Sequence, residues 1–216
     1  MQHHRSAKLA RGILIAAAVL AAVTGSALAA TSSHTVARST GGKLAQVQKQ
    51  LAAARALNAK YSPAGIANQL KKTKAALAKY ESVDAAKADG YAQSGPCAFA
   101  QAGAGEESSH AGAMGVHFVN NALATRPPNP LKPAVLVYAP LAGGGFQLVA
   151  AEYFQPDADQ NVKTDGDRPT LFGRAFDGPM LGHSPGMPIH YDLHVWLWKH
   201  NPSGMFAPWN PDVSCT

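Results

Sequence analysis

Residues 190–200 read His-Tyr-Asp-Leu-His-Val-Trp-Leu-Trp-Lys-His, and this alternation restricts the chain more than any other stretch. Tyr191, Leu193, Val195 and Leu197 recur at every second position, the period of a β-strand with one face against a core. His190, Asp192, His194, Trp196, Trp198 and His200 take the other face. A purely structural strand has little use for imidazoles and a carboxylate in one row, so the row is a candidate site for a metal or a small ligand. On a strand rising about 3.3 Å per residue, His190 and His194 stand roughly 13 Å apart and cannot share one ion. Neighbours two apart can: His190 with Asp192, or Asp192 with His194. On a helix His190 and His194 would lie one turn apart and chelate together; the aromatic and β-branched content and Pro188 favour the strand. Asp192 has a further option, accepting from an adjacent imidazole and so orienting it as a ligand.

Two more ligands are available. His117 lies in a short strand candidate, Val116 to Asn120. Glu152 falls, by strict alternation, on the same side as Phe146, Leu148, Ala150 and Phe154, so that a carboxylate interrupts an apolar face. Such a group is costly unless paired or bound to metal. Two histidines and one carboxylate with open positions suit a divalent metal, Zn or Fe. The expected metal ligands are therefore drawn from His117, Glu152, His190, Asp192 and His194. If a coordination position stays open the chain is a mononuclear metal-dependent enzyme, and a candidate general base is whichever of these residues does not bind the ion; substrate and catalytic residues are unknown. The competing account pairs Glu152 with Arg168 or Arg174 and leaves the histidines hydrogen-bonded in the core or at its rim.

The first 29 residues read as a cleaved signal peptide. Arg5, Lys8 and Arg11 precede an uncharged apolar run from Gly12 to Val23, and Ala27-Leu28-Ala29 fits signal peptidase. The run is short of the ~20 residues a spanning helix needs, so the mature chain, from Ala30, is expected to be exported, periplasmic or extracellular, with no transmembrane segment. Its charge falls from +6 to +3, because sixteen basic residues then face thirteen acidic ones. Cys97 and Cys215 are the only cysteines; in an exported chain such a pair reads as a disulfide. No Cys-x-x-Cys spacing supports a thiolate metal or redox site.

The mature chain has two halves. Residues 30–90 hold ten basic residues and three acidic ones; from 91 onward six basic face ten acidic. Leu44, Val47, Leu51 and Leu57 follow Gly41-Gly42 at helical spacing until Ser62-Pro63. Ile66, Leu70, Ala75, Leu77 and Tyr80 form a second run, and Ser82 caps a short helix ending at Gly90. This basic helical segment, residues 30–90, either packs as a solvated hairpin on the following domain or offers, through residues 43–87, a weak contact for an anionic surface such as lipid headgroups or envelope polymer. Arginine is not interleaved with aromatics, so nucleic acid is not expected. Residues 91–216 turn to Gly, Pro, aromatic and β-branched residues. Strands are expected at Val116–Asn120, Ala134–Tyr138, Phe146–Phe154 and from near Ile189, with a hairpin through Gly143-Gly144-Gly145. Between Pro156 and Pro188 no period is visible, as in a lid or binding loop. The fold class is α+β: an N-terminal helical extension followed by an antiparallel β-rich domain with long loops.

Three motifs carry less than their spelling suggests. Gly182-His183-Ser184-Pro185-Gly186 matches a serine nucleophile elbow, but Pro185 has no N–H to give an oxyanion hole. Asp157, Asp159 and Asn161 open like a calcium loop, but Val162 and Arg168 stand where glycine and glutamate are required. Glu107-Ser108-Ser109-His110 has the Glu-x-x-His spacing of a di-iron helix in a single copy among poor helix formers. Trp196, Trp198 and Trp209 either fill the sheet face or stack on a flat ligand; with the basic helices they define the alternative, a non-catalytic module that binds a ligand or an envelope partner.

The strings Gly112-Ala-Met-Gly-Val-His-Phe-Val-Asn120, Pro169-Thr-Leu-Phe-Gly173, Phe176-Asp-Gly-Pro179 and His190 to Gly204 resemble a family of exported bacterial proteins of uncharacterised function, over roughly residues 80–216. The resemblance implies export and implies no activity, cofactor or site residue.

Overall fold

Two serines punctuate the helical half. In a computed structural model, which describes residues 33–100 and 112–215, with burial from Gly42, helix α1 (Ser33–Tyr61) ends where Ser62 caps helix α2 (Pro63–Leu77). The Ser62 hydroxyl accepts from Gly65 N at 3.1 Å and Pro63 takes the first helical position, where its missing N–H costs nothing. A 3-10 turn, Ala78–Glu81, leads to Ser82, whose hydroxyl accepts from Ala85 N at the start of α3 (Val83–Ala88). Both serine boundaries match the sequence reading. The start of α1 does not: the helix runs through Gly41-Gly42 from Ser33. Each glycine costs about 1 kcal/mol there, but once the Ala/Lys/Gln-rich stretch is helical, propagation adds one hydrogen bond per residue. Residues 1–29 and Glu107–His110 lie outside the described residues.

The chain divides into two units, Met1–Ala54 and Arg55–Thr216, and α1 crosses the division. In the first unit residues 42–54 are all exposed, Leu44, Val47 and Leu51 included. The second unit holds a six-stranded antiparallel sheet in the order β1-β2-β3-β4-β8-β7: β1 (Ala92–Phe99), β2 (Ala113–Val119), β3 (Val135–Pro140), β4 (Phe146–Pro156), β7 (Asp177–Met180) and β8 (His190–Val195). A four-residue helix, α4 (Asn121–Ala124), links β2 to β3, and β5 (Thr170–Leu171) pairs with β6 (Arg174–Ala175) in a separate hairpin. Fold class and the central strands agree with expectation. Strands β1 and β7 were not expected, because both lie at sheet edges where Gly95-Pro96 and Gly178-Pro179 can sit and where no apolar period is required.

The central strands of the sheet are buried on both faces. One carries Val116, Phe118, Leu136, Tyr138, Leu148, Tyr153 and Leu193 against Leu77, Tyr80 and Ala86 from the helical segment. The other carries Val135, Val137, Ala150 and Phe154 with Trp196 and Val213. A β-bulge decides which residue joins which face. Val137 pairs with Ala150 while Tyr138 pairs with Leu148, leaving Val149 as the extra residue on β4. Strict alternation had placed Glu152 beside Phe146 and Leu148. The bulge reverses the parity, so Phe146 and Leu148 join the helix-side core and Ala150, Glu152 and Phe154 point the other way.

The 157–189 connection is more ordered than its composition suggests. Asp157 accepts from Asn161 N at 2.7 Å and Asp159 from the Thr164 hydroxyl at 2.7 Å. Asp167 accepts from Ala158 N and from the Tyr191 hydroxyl, both at 2.8 Å. These carboxylates are occupied by donors of their own loop and of β8, which is the structural account of the acidic motif.

Cys97 on β1 is bonded to Cys215, with Cα atoms 5.6 Å apart and a sequence separation of 118. The bond ties the C-terminal tail to the edge strand, and on the neighbouring β2 Ala113 exchanges backbone hydrogen bonds of 3.1 Å with Asn210 of the same tail. A loop of this length is worth roughly 4 to 5 kcal/mol in the chain-entropy account. The Cys97→Ser/Cys215→Ser double variant is therefore expected to lose about that much stability in urea unfolding, and an unchanged midpoint would place the tail's anchorage elsewhere.

Candidate metal centre

His117 on β2, Glu152 on β4 and His194 on β8 reach one point on the sheet face opposite the helices. Each offers a ligand atom, and the three atoms lie within 4.8 Å of one another, a group able to hold a metal ion. Register explains the meeting. Glu152 is paired directly with His194, and across β3 His117 stands opposite Val137 while Glu152 stands opposite Val135. The outer strands are about 10 Å apart, so the two long side chains close over the valines of β3. His117 Nε2 comes to 3.3 Å and His194 Nε2 to 3.6 Å from the same oxygen, Glu152 Oε2.

Neither approach has hydrogen-bond geometry. Glu152 Oε2, both ring nitrogens of His194 and Nε2 of His190 are buried without a hydrogen-bond partner. Native proteins leave few such atoms, because each costs about 1–3 kcal/mol when orphaned. Glu152 is 5 % exposed. Burial pushes its carboxyl up, but the imidazoles of His194 and His117, with a smaller contribution from His183, outweigh burial and hold it at about 2. Burial brings His194 down to about 4 against the pull of Glu152. At neutral pH the group is thus one carboxylate beside a neutral His194 imidazole with a free lone pair, the protonation states that ligation requires.

Asp192 stands behind His194, with Oδ1 3.9 Å from Nδ1. Burial, together with the charges of Glu152 and Asp177, pushes its carboxyl well above the usual range; Asp177 is its register partner on β7. His190 lies beyond Asp192, with Nε2 4.0 Å from Oδ2, and its ring stacks on Phe154 at 4.8 Å. So the structure gathers three of the five expected ligands at one point and sets Asp192 and His190 in line beside them. The competing account of Glu152 does not describe this arrangement: Arg168 donates to Phe176 O and pairs with Asp165, and Arg174 lies over the Phe206 ring.

The tryptophans do not extend the row. Strand β8 stops at Val195; Trp196 is 3 % exposed and donates to Ala207 O at 2.7 Å, and Trp198 donates to Glu81 at 3.0 Å. One imidazole escaped the sequence reading. His183, exposed in the loop between β7 and β8, places its ring 5.3 Å from that of His190 and acts electrostatically on Glu152 and His194. The signal it leaves in the sequence is its place in Gly182-His183-Ser184-Pro185-Gly186, a turn-forming segment seven residues before His190.

In metal-free protein the unfolded chain takes up the His194 proton near the ordinary 6.5, the folded chain only near 4. This contribution to stability is complete above pH 6.5 and drains away as pH falls to 4, by on the order of 3 kcal/mol. His190, lowered by burial, acts in the same direction; Asp192, raised, opposes both. Urea midpoints measured with chelator should fall between pH 7 and 4.5, and His194→Gln should flatten the fall. An equally steep fall in that variant would assign it to other groups. No family model, no curated protein and no solved structure matches this chain, so the site stands on its own geometry.

Proposed function

We propose that this chain is an exported metal-binding protein that holds a divalent ion through His117, Glu152 and His194. The observation that carries this reading is the convergence of the buried, unpartnered Glu152 Oε2 and His194 Nε2 with the half-buried His117 Nε2 at one point. Two imidazole nitrogens and one carboxylate oxygen suit Zn or Fe better than Mg or Ca, which prefer all-oxygen shells. Three protein ligands leave coordination positions free, and an ion so held supplies Lewis-acid activation of water or of a bound substrate. A metal-dependent enzyme is the extension of this reading. Asp192 Oδ1 faces His194 Nδ1 at 3.9 Å, and a shift of about 1 Å would let it accept from that ring and orient it.

Export rests on the signal segment read at residues 1–29 and is supported by the Cys97–Cys215 disulfide, a bond that persists in oxidising compartments. Among the described residues no helix is long and apolar enough to cross a membrane.

Metal content by mass spectrometry on the purified protein, made without a histidine-rich tag, tests the reading. Bound Zn or Fe is expected in the wild type, and His194→Ala and Glu152→Ala should each lose the equivalent that these residues hold. Unchanged content in both variants, or a protein that takes up neither metal, would overturn the assignment.

A further inference from the structure

His190 has the features of a metal ligand that the first group does not use. It is 0 % exposed, and its Nδ1 lies 3.0 Å from Pro188 O. That carbonyl can only accept, so the ring proton sits on Nδ1 and the lone pair on Nε2, the tautomer that a backbone carbonyl commonly imposes on ligating histidines. Nε2 is buried and has no hydrogen-bond partner. An ion on His194 cannot reach it, because four residues of extended strand put roughly 13 Å between the two backbone positions.

We propose that His190, Asp192 and His183 form a second divalent-cation position, on the far side of Asp192 from the His117/Glu152/His194 group. Asp192 Oδ2 lies 4.0 Å from His190 Nε2; two donors about 2 Å from one tetrahedral ion stand about 3.3 Å apart, so a side-chain movement of less than about 1 Å brings the pair to ligand spacing. The rings of His183 and His190 are 5.3 Å apart and inclined at 67°; two imidazoles on one tetrahedral ion have centres ~5 Å apart. The loop that carries His183 is folded tightly back on itself. Met187 N donates to Ser184 O at 3.0 Å, and a Cβ on Gly182 would stand 1.9 Å from Met187 O. His183 is thereby held beside β8 while remaining exposed, which gives an ion its way in from solvent. Nitrogen and carboxylate donors again select an ion of the Zn or Fe class. Asp192 then has two tasks, ligating the second ion through Oδ2 and facing His194 Nδ1 through Oδ1.

This inference rests on the metal reading of the same sheet face, and Zn titration of the metal-stripped, full-length protein separates the two. The wild type should bind two equivalents. His183→Gln, on an exposed loop and so no threat to folding, should bind one, or the second at least tenfold more weakly; His190→Gln should do the same. His194→Ala should lose the other equivalent. A single equivalent in the wild type, or two that survive His183→Gln and His190→Gln unweakened, overturns the second position and leaves the first standing. No uptake at all overturns both.

Discussion

An ionised carboxylate in a sheet covered on both faces is the constraint around which this structure is arranged. Removing such a charge from water without compensation costs far more than a domain's whole stability margin. Glu152 must therefore be met by positive or polarisable groups, and the nearest available are the imidazoles of His117 and His194, at 3.3 and 3.6 Å. Neither closes a hydrogen bond with it. The compensation is incomplete in protein atoms alone, and it is of the kind that a cation completes, because the lone pairs of a neutral imidazole and a carboxylate already point inward.

That arrangement depends on one extra residue. Without the bulge at Val149, Glu152 would emerge among Leu148, Phe146 and the helix-side core, with no imidazole in reach. With it, Glu152 shares a face with β8's polar row and with His117, while Leu148 and Phe146 keep their apolar neighbours. The bulge thus sets both the packing of β4 and the membership of the His117/Glu152/His194 group.

The polar row of β8 has a graded environment. At the His194 end it meets Glu152; in the middle Asp192 faces Asp177 of β7 and is discouraged from ionising; at the other end His190 is fixed by Pro188 and Phe154 and approached by His183. Carboxyl and imidazole alternate along the row, so each histidine has an acid beside it. The helical segment contributes from behind: Tyr138 donates to Tyr80 O at 2.6 Å and Leu77 and Ala86 fill the opposite core, which makes the sheet a rigid platform for the row.

Much of this was legible in the residues themselves. The alternation of 190–195 identified the strand and its polar face, Ser62-Pro63 identified the break between the first two helices and Ser82 a helix start, and a single pair of cysteines identified the disulfide, because each of these is set by local stereochemistry or by simple arithmetic. The members of the site were legible too, His117 and Glu152 included, since a carboxylate inside an apolar strand and a histidine on a neighbouring one are both out of place. Their partners were not. Which histidine meets Glu152 depends on strand order and register, and which face Glu152 takes depends on a bulge that leaves no mark in the period. His183 lies in a loop without any period, and its nearness to His190 follows only from the return of β7 alongside β8. Local sequence determined the elements and the chemistry they carry; long-range pairing decided which groups meet, because contacts between strands far apart in the chain are settled by how the whole sheet buries both of its faces.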